Sequence, residues 1–138
     1  MKKLLIGLVG AAMICGCGEK DNSLKMITEA TFPPYEFLRG QEIAGIDVEI
    51  CRAVAKKLNR PFKAETVDFD SVIPAVISGK ADLALSDFIT SEEYAVAIRK
   101  GQPELLKAIN ETIAELKANG KMEAIRAQYT KEADALKK

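Results

Sequence analysis

The chain contains no histidine. That absence removes the commonest general base and the commonest zinc ligand, and with them most hydrolytic triads and metal sites. No enzymatic activity, catalytic residue, metal or other cofactor is expected. An excess of charge is also lacking, because 20 basic residues balance 20 acidic ones. With no net positive field and no basic cluster interleaved with aromatics, nucleic acid is not an expected partner. Beyond the first residues no apolar run is long enough for a transmembrane helix, and no repeat or low-complexity segment is present. Of the three cysteines, Cys15, Cys17 and Cys51, only the last lies in the body of the chain, so no internal disulfide is expected. Cys51 falls on an apolar helix face and reads as packing. A length of 138 residues suits one domain with a real core and is too short for two full-sized ones.

The amino terminus carries the most specific pattern. Lys2 and Lys3 precede the apolar run from Leu4 to Ile14, followed by Cys15, Gly16 and Cys17. A charged start, a short apolar stretch and small residues form an export signal rather than part of the fold. Ile14-Cys15-Gly16-Cys17 resembles the bacterial lipobox, which implies that Cys17 is lipidated and becomes the new terminus. Residues 1–16 would then be a signal peptide and 17–23 a flexible tether. The protein would be exported to the cell envelope or periplasm and held to a membrane by its lipid. An ordinary cleaved signal with an incidental cysteine is the alternative.

After the tether, strand-like runs alternate with stretches of helical period, an α/β pattern. Leu24 to Thr28 reads as a first strand. Ala30 to Phe37 reads as a loop with two prolines, and Gly40 to Gly45 as a turn. Asp47 is placed as the N-cap of a helix whose Val48, Cys51, Val54, Ala55 and Leu58 form one apolar stripe. Further strands are expected over Pro61 to Val67, Ala81 to Leu85 and Tyr94 to Ile98, with a short helix from Ser71 to Ser78 closed by Gly79. Pro103 opens a helix that runs to Asn119 and stops at Gly120, and Met122 to Tyr129 continues as another. The Lys- and Glu-rich end after Thr130 is expected to fray, making 131–138 a tail.

In this order, Ala30-Thr31-Phe32-Pro33-Pro34-Tyr35-Glu36-Phe37, Gly45-Ile46-Asp47-Val48-Glu49-Ile50, Phe69-Asp70-Ser71-Val72-Ile73-Pro74-Ala75-Val76, Gly79-Lys80-Ala81-Asp82-Leu83-Ala84 and Tyr94-Ala95-Val96-Ala97-Ile98-Arg99-Lys100-Gly101 resemble the type II periplasmic binding proteins for polar amino acids. The resemblance implies a single lobe over 24–130, with a flavodoxin-like, mostly parallel sheet and helices on both faces. In that family a second lobe stands between the strands corresponding to Ala81 to Leu85 and Tyr94 to Ile98. Here the second lobe is read as absent, with 24–86 and 94–130 making lobe one.

The same resemblance places a ligand site at Phe32, Tyr35, Ser86, Asp87 and Thr90. Phe32 matches the position where the family stacks an aromatic on its ligand, while a packing role stands equally open. Tyr35 and Phe37 fit packing better, and Glu36 is expected in solvent. Ser86 and Thr90 fall in the stretch where strand-end amides and hydroxyls meet the ligand. Asp87 stands where the family usually has glycine, and the arginine that clamps the ligand carboxylate is replaced by Glu92, Glu93 and Tyr94. Arg99 lies after its strand, away from the ligand. The expected function is that of the substrate-binding lipoprotein of an amino-acid ABC transporter, with a transporter permease as partner by family resemblance and with weak or lost binding of a small polar amino acid. The alternative is an interaction module that forms a homodimer or binds a partner through the face left by the missing lobe.

Overall fold

The computed structural model describes residues 21–85 and 95–137. Strand β1 spans Leu24–Thr28 and is followed by three short strands, β2 (Thr31–Phe32), β3 (Glu36–Arg39) and β4 (Glu42–Ala44). Helix α1 (Ile46–Lys57), β5 (Phe62–Thr66), α2 (Phe69–Ser78), β6 (Leu83–Leu85), β7 (Val96–Ile98), α3 (Pro103–Ala118) and α4 (Lys121–Leu136) complete the described chain.

The main sheet has the order β5-β1-β6-β7, with β1 parallel to both neighbours and β7 antiparallel to β6. Parallel strands covered on both faces need apolar residues on both. Accordingly, Leu24 and Met26 of β1 join Val48, Cys51 and Val54 of α1 and Leu105 and Ile109 of α3 in one core. Ile27 and Ala84 face the other way, into a second cluster with Val72, Ala75 and Val76 of α2. The expected mostly parallel sheet with helices on both faces is what the chain forms.

Four local expectations are corrected. Residues 30–45 do not form a loop and a turn but a three-stranded antiparallel meander, β2-β3-β4. Its strands are too short, and too interrupted by Pro33 and Pro34, to show a period in the sequence. Gly45, not Asp47, is the N-cap of α1, and Asp47 lies buried inside the first turn. Gly45 holds that place because its φ of 141° and ψ of 175° belong to a region nearly closed to other residues. Glu36, expected in solvent, is only 2% exposed. Finally, α4 does not end near Tyr129 but runs to Leu136, because Ala133 is buried and Glu132 meets Arg39 at 3.5 Å.

Candidate functional site

In a sheet of this kind, ligands are taken at the carboxyl ends of the parallel strands, where connections diverge. At that end β1 finishes at Thr28 and the chain turns through Ala30, whose φ of 31° is left-handed. Such backbone concentrates at sites that fix a side chain for a purpose. The turn leads into β2, where Phe32 is 41% exposed. The Phe32 carbonyl accepts a hydrogen bond from the Tyr35 N–H at 2.9 Å. This turn contains the cis Pro33–Pro34 peptide and brings the two rings together, centroids 5.6 Å apart and planes 14° from parallel. An exposed, stacked aromatic face of this kind can receive a flat cation or an apolar stem.

The segment carrying these rings is seated on α1. The Ile46 N–H donates to the Pro34 carbonyl and the Asp47 N–H to the Tyr35 carbonyl, each at 3.0 Å. The backbones pass so closely that a Cβ on Gly45 would overlap the Tyr35 carbonyl. Two of the amides left open at a helix start are thereby satisfied by the loop itself. Immediately behind the rings, the Glu36 and Asp47 side chains are both buried and hydrogen-bonded to each other. Burial pushes the Asp47 carboxyl up to about 7, while the Glu36 bond pulls the other way. Beneath them, burial and then the Asp47 charge raise the Cys51 thiol well above its ordinary value.

Of the residues assigned to the site, Phe32 and Tyr35 meet at this edge; Ser86, Asp87 and Thr90 lie outside the described residues, as does Cys17. Arg99 follows β7, whose antiparallel pairing sets Ile98 opposite Leu83 and so carries Arg99 to the amino end of β6. A Cβ on Gly79 would overlap its guanidinium there, so Arg99 is remote from the aromatic pair. Sequence reasoning missed Phe69, an exposed ring opening α2 just past the carboxyl end of β5. Its place directly after a strand, with Asp68 and Asp70 on either side, was the available signal. Among the described residues no cluster of three or more acidic or cysteine side chains could hold a metal ion, and no helix is long and apolar enough to cross a membrane.

The fold is that of a mostly parallel α/β sheet whose strands β1, β5 and β6 end at the edge that carries Phe32. The family model of the bacterial extracellular solute-binding proteins, family 3, matches residues 24–99, and the chain belongs to that family. It is 35% identical over 103 residues to the arginine-binding extracellular protein ArtP of Bacillus subtilis, covering 67% of this chain and 40% of ArtP. It is also 35% identical over 75 residues to the probable ABC transporter arginine-binding protein ArtJ of Chlamydia trachomatis, covering 49% of this chain and 29% of ArtJ. The chain thus spans less than half the length of these relatives. Among solved structures, the arginine-bound form of domain 1 of TmArgBP superposes with a TM-score of 0.62 at 28% identity, over 69% of this chain and 94% of that one. The substrate-binding protein of an amino acid ABC transporter superposes with a TM-score of 0.72 at 18% identity, over 79% of this chain and 99% of that one. This second likeness is one of fold.

Proposed function

We propose that this chain is a single ligand-capturing lobe of an amino-acid importer's binding protein and that its ligand is a cationic amino acid of the arginine class. The observation that carries the reading is the stacked Phe32–Tyr35 pair, exposed at the carboxyl edge of the sheet. A guanidinium lies well on such a ring face, and Glu29, Asp68 and Asp70 at the ends of β1 and β5 supply charge of the opposite sign. The names of ArtP and ArtJ support arginine, and the arginine-bound domain 1 supports the sufficiency of one lobe. Residues 86–95, which join β6 to β7, are too few for a second lobe. Without an opposing lobe the ligand stays partly hydrated, so capture is weak. Lys2, Lys3, the apolar run and Cys17 support an exported lipoprotein, and a transporter permease is the partner this role requires.

Calorimetry with arginine, then with the other amino acids, tests the reading, with Phe32→Ala as control. Saturable arginine binding that Phe32→Ala removes sustains it. Failure to bind any amino acid sinks it. Incorporation of labelled lipid, lost in Cys17→Ser, tests the anchor.

A specific observation favours a second reading. Ile73 and Ile77 are exposed on α2 beside Ala97 and Ile98 of β7, lining an apolar groove along a strand edge that pairs with no other described strand. Self-association through that edge would bury it. Sedimentation would then show a mass that rises with concentration and falls back in Ile77→Lys.

A further inference from the structure

Behind the aromatic pair, Glu36 of β3 and Asp47 of α1 are in side-chain hydrogen-bond contact, shielded from solvent. An ionised carboxylate can only accept, so the bond exists only while one of the two carries a proton. Two ionised carboxylates in contact inside a protein repel without water to screen them. The segment from Pro34 to Glu36 is therefore held on α1 in three ways: by the amides of Ile46 and Asp47, by the close passage of Gly45, and by the carboxyl pair. Only the last depends on a proton.

Several of the other ionisable groups on the elements around α1 pair with one another. Arg39 of β3 meets Glu132 of α4 and Glu42 of β4, while Arg52 of α1 meets Glu49 and Glu42. The Tyr129 hydroxyl of α4 donates to Glu49 at 3.2 Å. Farther off, Lys57 engages Glu111 and Glu115 of α3, Lys25 and Lys63 engage Asp21, and Glu65 of β5 meets Lys80. Cys51, one turn along α1, is held as the thiol by burial.

We propose that Glu36 and Asp47 are positioning residues of the ligand site: one proton shared between their carboxyls holds the segment bearing Phe32 and Tyr35 on α1, and its loss loosens the aromatic pair and weakens ligand capture. The effect on capture rests on the reading of that pair as the ligand plate; the effect on its pose does not.

The test follows the Phe32 and Tyr35 ring signals of the full chain by nuclear magnetic resonance as pH is raised in the absence of ligand. The chain has no histidine, so no imidazole step overlaps. Both rings are expected to shift together through one midpoint near 7. In Glu36→Gln the amide donates to Asp47 at every pH, so that step disappears while the far-ultraviolet dichroism is kept. Asp47→Asn carries the same expectation should Glu36→Gln not fold. Rings that stay fixed in the unsubstituted chain, or a midpoint that survives in a folded variant, overturn the proposal. Arginine added to the same samples reads the second half: its affinity falls about tenfold across the midpoint and stays level in the variant. Equal affinity on both sides of the midpoint overturns the link to capture. A ring step with no arginine binding at any pH refutes the capture reading and leaves the positioning intact.

Discussion

The two ends of the main sheet are built differently. At the amino end the chain is tied down by direct bonds. Arg60 donates to Asp82 at 2.8 Å, to the Ser23 carbonyl at 2.7 Å and to the Asn22 carbonyl at 2.9 Å, while the Lys25 N–H donates to the same Asp82 carboxylate at 2.9 Å. At the carboxyl end the chain turns through a left-handed Ala30, exposes Phe32 and Phe69, and buries an acid pair. One end is a fastening; the other holds side chains in arrangements that cost stability. The contrast teaches where to look for function in a small α/β lobe: at the end where burial and bonding are least economical.

Four changes break or sharpen this contrast. The largest effect is expected from Gly45→Ala. A methyl group there meets the Tyr35 carbonyl in a backbone region closed to alanine, costing about 3 kcal/mol in urea unfolding and displacing the aromatic pair.

Next comes pH at the same end. Asp47 has its folded value raised from 3.8 to about 7, so its contribution to stability is fully present below 3.8 and is lost as pH rises through about 7. The loss is a few kcal/mol. Unfolding of Asp47→Asn compared across that window should be flatter than that of the unsubstituted chain; parallel curves would remove the pair from the account.

At the opposite end, Asp82→Ala removes one of the three acceptors of Arg60 and leaves the Lys25 amide without its acceptor, and is expected to cost about 2 kcal/mol. Amino-acid binding should be unchanged, and a loss of binding would show that the two ends are coupled. The smallest effect on stability, under about 0.5 kcal/mol, belongs to Phe32→Ala because the ring is largely in solvent. Binding measured by calorimetry should nevertheless be lost.

How much was legible in advance follows the same division. Leu24, Met26, Leu83 and Leu85 are buried because both sheet faces are covered, and that need writes itself into the chain as short apolar runs. The stripe of α1, the left-handed Gly79 that ends α2 and the Pro103 that opens α3 are local signals, each tied to one backbone position. The family resemblance could mark Phe32 as a candidate, but its stacking on Tyr35 could not be read. Glu36 and Asp47 were misread, one as solvated and one as a cap, because carboxylates at such positions are ordinarily wet. Only a partner 11 residues away in sequence and a roof formed by other elements reverse that expectation.

By itself, then, the order of apolar runs, prolines and glycines determined the α/β class, the main strands and helices and the family to which the chain belongs, since these depend on near neighbours and on period. The tertiary structure alone decided the meander over residues 31–44, the seat of the aromatic loop on the first turn of α1 and the burial of two acids against each other. Each of these depends on which segments meet in space, and the charge state of a carboxyl is set by the water it loses when they do.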